Sequence, residues 1–186
     1  TYRQSSRHRP ELNETDPTNR FLARQNRLRV QAEIVRDIGL SLSRLLSDKV
    51  GGPSVFPPMP AEVAALSYAG NFKWDNSTGA DRYRRGLYTF FKRTSPHPNL
   101  MTFDCPDSNT TTISRQTSNT PLQALTLLNN ETFAEASQAL AVRALGWEVG
   151  EDASRITLLL RHCVAREPAS AETSLFLDLL RRSRAY

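Results

Sequence analysis

The segment that most constrains the fold is residues 81–128. There an arginine-rich, aromatic cluster leads into a long polar loop and then into a helix start. The loop is rich in proline, asparagine and threonine, which disfavour helix interiors and central strands. A chain that contains it must hold an ordered, irregular segment against regular elements supplied by the rest of the sequence. We expect those elements to be α-helices.

Apolar residues recur at steps of three and four through much of the remaining chain, which is typical of amphipathic helices. The stripe that begins at Leu28 ends before the Gly51-Gly52-Pro53 stop signal. A short turn of helix is expected near Glu11, and another short helix after Pro60. The longer predicted helices cover about residues 24–46, 132–146, 152–166 and 170 onward.

Thr120-Pro121-Leu122-Gln123 is the clearest local signal for a helix start. Thr120 can accept from the N–H of Gln123, Gln123 can reach back to the N–H of Thr120, and Pro121 suits the first helical position. Thr132 begins a second such pattern. Helices joined by short links predict a helical bundle over residues 119–186.

Residues 86–93 are rich in tyrosine, threonine and phenylalanine, which favours a short strand. A helix is the competing interpretation, because the apolar residues of this run also fit helical spacing. We predict a strand that pairs with residues 111–115 across the polar loop. The expected fold class is therefore mainly α, a helical bundle with long ordered proline-rich loops and one short β-hairpin.

The chain is expected to be a single-domain piece of a longer protein. Residues 51–60 form either a polyproline-type peptide ligand or, as we favour, a stiff linker laid on the aromatic residues of the domain itself. We divide the chain into an irregular wrapping segment (1–23), a helix with a proline-rich loop (24–80), an Arg/aromatic segment with a polar loop (81–118) and a helical bundle (119–186).

Composition and cysteine spacing exclude several classes of protein. No apolar run reaches the roughly 18 residues of a membrane-spanning helix, and we expect no signal peptide within this fragment, since no charged-then-apolar leader pattern occurs in it. Cys105 and Cys163 form no C-x-x-C pair, so this fragment alone builds neither a zinc site nor a haem c attachment, and we predict no metal site. The two cysteines form either a disulfide or two isolated buried thiols.

The net charge is +5, and only three of the 24 basic residues are lysines. Arginine suits carboxylate and phosphate ligands and stacks on aromatic rings. The cluster near residue 85 therefore predicts a surface that binds a polysaccharide, an anionic ligand or a partner domain, whereas nucleic acid is not favoured. The alternative is that one face of the cluster packs in the core and its arginines pair with nearby acids. The candidate binding residues are Arg82, Tyr83, Arg84, Arg85, Tyr88, Lys92 and Arg93.

No nucleotide-binding loop, H-E-x-x-H or G-x-S-x-G motif is present. His97 lies between two prolines and is the best-placed candidate base, although a lone loop histidine is more often a surface residue. Asp104 and Asp107 are a candidate carboxylate pair, although carboxylates in loops commonly cap their own backbone. We therefore favour a non-catalytic role for this fragment.

Six sequence blocks occur in a fixed order along the chain, namely residues 2–6 (YRQSS), 51–55 (GGPSV), 82–90 (RYRRGLYTF), 92–96 (KRTSP), 101–104 (MTFD) and 119–125 (NTPLQAL). They stand in the same order as in a planctomycete-specific domain of unknown function, and the chain resembles the C-terminal part of that domain. The domain lies at the C-terminal end of large envelope or secreted proteins, which often carry cytochrome-c-like domains.

The resemblance implies an extracytoplasmic location and a haem-bearing neighbour in the same polypeptide. From the cysteine spacing we expect no cofactor in this fragment itself. The expected function is a binding or scaffold module that presents the Arg/aromatic surface and the polar loop. Its expected ligands are a polysaccharide, an anionic ligand or the upstream cytochrome-like domain. The alternative is part of an extracytoplasmic hydrolase or oxidoreductase that acts with the haem domain.

Overall fold

Eight α-helices and two 3₁₀ turns make up the regular structure of residues 3–7, 9–65 and 73–185, which the computed structural model describes, with Ala65 described by its backbone alone. The prediction of a mainly α fold is confirmed. The helices are α1 (Leu12–Thr15), α2 (Ala32–Ser43), α3 (Ala61–Ala65), α4 (Pro98–Thr102), α5 (Pro121–Asn129), α6 (Glu131–Leu145), α7 (Asp152–Val164) and α8 (Ser170–Arg184), and the 3₁₀ turns are Gly79–Tyr83 and Gly86–Tyr88.

Residues 1–30 form one compact unit and residues 31–186 form a second. In the first unit, α1 confirms the turn of helix predicted near Glu11. The buried Asp16 then turns the chain, because its carboxylate accepts from the backbone N–H of Phe21 at 2.9 Å. The Asn19 side chain donates to the carbonyl of Arg24 at 2.7 Å. Side-chain-to-backbone hydrogen bonds of this kind hold an irregular segment in one conformation.

Helix α2 begins at Ala32, so the predicted start at residue 24 is wrong. Leu28 continues the apolar spacing but is 81% exposed and lies in the other compact unit. The helix ends at Ser43 because Arg44 adopts a left-handed conformation (φ 61°) and closes the last turn. Its buried face packs chiefly against α6 and also against α4.

The core of the second unit lies where α2, α4 and α6 meet. Ala32, Leu100, Phe103 and Phe133 form one buried cluster. The rings of Phe103 and Phe133 meet edge to face, with 6.3 Å between their centroids. Burial of such side chains stabilises the fold by roughly 1.5–3 kcal/mol each.

The predicted strand over residues 86–93 is wrong. The segment makes a 3₁₀ turn over Gly86–Tyr88, after which Thr89 forms one isolated parallel bridge with Val55. Val55 uses both of its backbone groups here, donating to Tyr88 O and accepting from Phe90 N, each at 2.8 Å. The proline-rich loop therefore takes the place of the predicted hairpin partner, and residues 111–115 form no bridge within the described part of the chain.

The proline-rich segment packs on the aromatic residues of the domain, which confirms the preferred interpretation of residues 51–60. Val55, Pro57 and Pro58 are buried. The ring of Phe56 contacts Trp74 at a centroid distance of 5.2 Å. Helix α3 follows Pro60 as predicted, and its predicted continuation over residues 66–68 lies outside the described residues.

The helix starts of the C-terminal part follow capping chemistry. The predicted capping box at Thr120 is confirmed, with reciprocal hydrogen bonds of 3.4 Å between Thr120 and Gln123. Helix α6 begins at Glu131, one residue before the predicted start, because the Asn130 side chain accepts from the N–H of Thr132 at 3.1 Å. Of the helices that the structure describes, none combines the length and apolarity needed to span a bilayer.

Candidate functional site

Arg84 lies at the centre of the Arg/aromatic segment, residues 81–93, and its side chain is fully buried. The guanidinium donates to Pro53 O at 2.9 Å and to Gly51 O, and it lies 3.8 Å from the ring centroid of Tyr88. The Tyr88 hydroxyl accepts from the N–H of Gly51 at 2.8 Å. One arginine and one tyrosine therefore clamp the glycine loop against the Arg/aromatic segment.

Arg82 joins the same segment to helix α6. Its Nη2 donates to Glu131 at 2.6 Å and also to Glu135, and its Nε donates to Glu135 at 3.3 Å. The hydrogen bonds from these carboxylates, chiefly that of Glu135, raise the pKa of the Arg82 guanidinium. Arg82 thus forms an internal ion pair with α6, and a binding role for it stays a prediction.

Arg36 is a buried polar residue that the sequence analysis missed. From α2 it donates to the backbone carbonyls of Arg82 (2.6 Å) and Arg84 (3.3 Å) and to the Thr132 hydroxyl (3.2 Å). Burial lowers the pKa of Arg36 to about 10. The sequence did hold a signal that Arg36 is buried. It lies four residues from both Ala32 and Leu40, which places all three on one helix face.

Gly86 brings the Arg/aromatic segment into direct contact with α2. Its N–H donates to the Asp37 carboxylate at 2.6 Å. A Cβ at this position would lie 2.6 Å from the carbonyl oxygen of Glu33, which is closer than such atoms approach. Only glycine allows the two backbones to lie this close.

The remaining predicted binding residues differ in their accessibility. Tyr83, Tyr88 and Lys92 are half-buried, whereas Arg85 and Arg93 have exposed side chains. A binding role for these residues stays a prediction, and Arg85 and Arg93 are the members that solvent reaches most freely.

His97 caps α4 and is 2% exposed. Its Nδ1 accepts from the N–H of Asn99 at 3.3 Å, and its Nε2 lies 3.1 Å from the carbonyl oxygen of Pro58. A carbonyl can only accept, so Nε2 carries the proton and both ring nitrogens are in use. Burial lowers the pKa of His97 to about 4. Its surroundings are those of a structural group, not of a solvent-accessible base.

Asp104 closes the polar loop onto α5. Its carboxylate accepts from both the N–H and the hydroxyl of Ser118 at 2.7 Å. The buried Gln123 side chain adds a hydrogen bond to the Thr102 carbonyl at 2.9 Å and to the Ser118 hydroxyl at 3.1 Å. Asp104 itself has a positive φ of 66°, so its side chain fixes a turn that few residue types adopt.

A cleft of about 410 Å³ lies against this loop, and Asp104 and Asp107 both line it. Asp107 is exposed, and its hydrogen bonds with Asn109, first with the backbone N–H, lower the pKa of the carboxyl. The structure thus brings two of the three candidate catalytic residues together but not His97. The lining residues of the cleft are Met101, Asp104, Cys105, Pro106, Asp107, Thr112, Ser114 and Gln116.

An ion pair ties the far end of the polar loop to α2. Arg115 donates to Glu33 at 2.7 Å, and the Cys105 thiol lies 3.9 Å from the other Glu33 oxygen. Burial and the Glu33 charge raise the pKa of Cys105, so the thiol stays protonated. Both Cys105 and Cys163 are free thiols. Within the described residues, no group of three histidine, cysteine or acidic side chains is arranged to hold a metal ion.

The fold and this site define a mainly α domain in which internal arginines and a carboxylate–amide network hold long loops in fixed positions. Over residues 1–180 the chain matches the family PSD1, protein of unknown function (DUF1553), and it therefore belongs to that family. No curated protein and no solved structure matches the chain.

Proposed function

We propose that this chain is a non-catalytic binding and scaffold module that holds a neutral polysaccharide in the cleft beside the polar loop. One observation supports the proposal above the others. The cleft is lined by a carboxylate-rich, hydroxyl-bearing and amide-bearing wall next to the apolar surfaces of Met101 and Pro106. A sugar presents the same combination, with hydroxyl groups that both donate and accept at its edge and C–H groups on its faces.

The charge of the cleft supports a neutral ligand over an anionic one. Asp104 and Asp107 supply negative charge, and none of the described lining residues is a lysine or an arginine. A phosphate or carboxylate ligand would meet repulsion there without a cation to offset it. A neutral polyol can instead donate hydrogen bonds to the carboxylates and share them with Thr112, Ser114 and Gln116.

The scaffold part of the proposal is supported by the way the loop is held. Asp104 bonds to Ser118, Gln123 bonds to both loop ends, and Arg115 pairs with Glu33. A cleft held by internal hydrogen bonds needs little ordering when a ligand binds, which favours affinity.

A hydrolase is the second candidate, and the placement of two carboxylates in one cleft favours it. Glycoside hydrolysis needs one carboxyl that stays protonated at working pH beside one that is ionised. The pKa of Asp107 is lowered, and the Asp104 oxygens already accept from Ser118 and Gln123. These features support binding over bond cleavage.

The experiment measures retention of the protein on cellulose, chitin and mannan, with heparin as the anionic comparison, followed by calorimetry with oligosaccharides of whichever polymer retains it. We expect retention on a neutral polymer and none on heparin. Gln116→Ala and Thr112→Ala each remove one exposed cleft group, and we expect each to weaken binding by about threefold to tenfold. Asp48→Ala, an exposed acid that does not line the cleft, serves as the matched control.

Failure of the protein to bind any neutral polymer, or equal binding by the cleft variants and Asp48→Ala, would show the proposal to be wrong. Release of reducing ends from a bound polymer that stops in Asp107→Asn would instead establish the hydrolase.

We also propose that the module works in a large extracytoplasmic protein with a haem-bearing domain in the same polypeptide, as the sequence resemblance implies. The haem would belong to that neighbouring domain, because Cys105 and Cys163 do not form an attachment motif here. Haem staining of the full-length product and fractionation of the producing cells test this proposal. The proposal is contradicted if the full-length product contains no haem and is found in the cytosolic fraction.

A further inference from the structure

Helix α2 has a second apolar face, which lies opposite the one that packs in the core. Ile34 and Ile38 are one turn apart on this face and are 42% and 43% exposed. Ile38 also lines an open groove of about 340 Å³. The groove is formed by Asp37, Ile38, Ser41, Leu42, Leu46 and Arg85.

Arg85 is the single cation among the described residues of this groove. Its side chain is exposed and makes no hydrogen bond, ion pair or ring contact with any described residue. Asp37, the acid in the same groove, accepts from the N–H of Gly86 at 2.6 Å. The guanidinium fork of Arg85 is therefore available beside an aliphatic wall.

We infer that this groove binds a segment of a partner protein that carries a carboxylate next to aliphatic side chains. Charge complementarity decides the choice of occupant. An arginine fork takes a carboxylate through two parallel hydrogen bonds, while Ile38, Leu42 and Leu46 cover the adjoining apolar groups. The net charge of +5 also favours an acidic partner, because it speeds the encounter of the two proteins.

The dimensions of the face match a short amphipathic helix. The run from Ile34 to Leu42 rises about 12 Å along α2, at about 1.5 Å per residue. A partner helix with apolar residues at i, i+4 and i+7 presents a stripe of similar length. This inference concerns a different surface from the polysaccharide cleft and does not depend on the proposed function.

The test uses a 12-residue amphipathic peptide with leucines at i, i+4 and i+7 and one glutamate beside the central leucine. Matched peptides carry glutamine or lysine in place of that glutamate. Titration into the isotopically labelled chain should shift the backbone amide signals of Ile38, Ser41 and Arg85. We expect Arg85→Gln to weaken binding of the glutamate peptide about tenfold.

Charge exchange makes the test decisive. Arg85→Glu should abolish binding of the glutamate peptide and allow binding of the lysine peptide. Arg93 is exposed and does not line the groove, so Arg93→Glu should change the affinity for neither peptide. Unfolding curves should be closely similar for all variants, because the Arg85 side chain is exposed and makes no hydrogen bond or ion pair with any described residue. Absence of saturable shifts up to about 1 mM peptide overturns the inference. Equal affinity of the glutamate and glutamine peptides, or of the chain and Arg85→Glu, overturns it as well.

Discussion

Two arginines, Arg36 and Arg84, enter the interior without an ion pair to any described residue. Both direct most of their donors at backbone carbonyls, with Arg36 also donating to the Thr132 hydroxyl, so the charge is solvated largely by the protein's own dipoles. Arginine suits this task because its guanidinium is more weakly hydrated than an ammonium and holds its donors in a rigid plane. At the residue scale, these two side chains fix the irregular loops in place.

Arg84→Met should destabilise the protein by about 3 kcal/mol, because it removes the buried hydrogen bonds to Gly51 and Pro53 and the contact with Tyr88. Urea unfolding measures the loss. The neighbouring substitution Arg85→Met is the matched control and should change stability by less than about 0.5 kcal/mol. Equal effects of the two substitutions would contradict the clamp described here.

Stability should depend on pH through His97. The folded pKa is about 4 and the ordinary value is 6.5, so between these values the unfolded chain binds a proton that the folded chain does not. Stability from this group is therefore complete above pH 6.5 and falls as the pH drops toward 4. The loss reaches roughly 3 kcal/mol, at about 1.4 kcal/mol per pH unit.

His97→Asn isolates this contribution from that of the carboxylates, which titrate nearby. Asparagine can cap α4 but does not titrate. Chemical unfolding of both proteins across the range should show a smaller pH dependence in His97→Asn. If the free energy of unfolding changed equally with pH in both proteins, His97 would take up its proton in the folded state near its ordinary pKa.

At the scale of elements, the contact between α2 and the 3₁₀ turn Gly86–Tyr88 positions the Arg/aromatic segment. Gly86 lies against the backbone of Glu33, and its N–H donates to the Asp37 carboxylate. The Arg36 guanidinium donates to the backbone carbonyls of Arg82 and Arg84. The strand prediction failed because it considered side-chain propensity alone. The backbone groups of this segment are instead satisfied by two side chains of α2, Asp37 and Arg36, and by the backbone of Val55.

Gly86→Ala should cost about 2–3 kcal/mol, because the added methyl group meets backbone atoms that cannot rotate away. Thermal and urea unfolding both report the change. Gly150→Ala is the control, since a Cβ there meets nothing within 4 Å. Its free energy of unfolding should lie within about 0.5 kcal/mol of that of the unsubstituted protein. A tolerated Gly86→Ala would show that α2 and the turn can separate without loss.

At the scale of the whole molecule, much of the arginine charge is balanced within the fold. Within the described part of the chain, seven arginines form ion pairs with carboxylates, namely Arg82, Arg115, Arg155, Arg161, Arg166, Arg182 and Arg184. These internal pairs offset part of the arginine charge, and the net charge that remains is +5. Solvent-exposed pairs of this kind contribute little to stability individually.

Binding of a neutral polysaccharide should be insensitive to salt between about 0.05 and about 0.5 M, because no counterions are released when it binds. Calorimetry across a salt series measures this. The affinity of the acidic peptide proposed for the α2 groove should fall over the same range of salt concentration, and this difference distinguishes the two sites. A steep decline for the polysaccharide would point to an ionic ligand instead.

Much of the fold could be predicted because helix signals are local. The capping box at Thr120 and the apolar spacing of α7 and α8 lie within a few residues of the elements they specify. The site could be predicted only in part. Asp104 and Asp107 do line a cleft, as the sequence suggested. The sequence did not show that Ser118 and Gln123 donate hydrogen bonds to the Asp104 carboxylate.

The sequence by itself determined a mainly α chain, the start of α5 and the place of the long loops, because those properties follow from neighbouring residues. Only the tertiary structure decided which arginines face inward. Arg84 is buried by a glycine loop more than 30 positions earlier, and Arg82 is paired by a helix about 50 positions later. Burial depends on contacts between distant segments, and a periodic pattern within one segment does not contain that information.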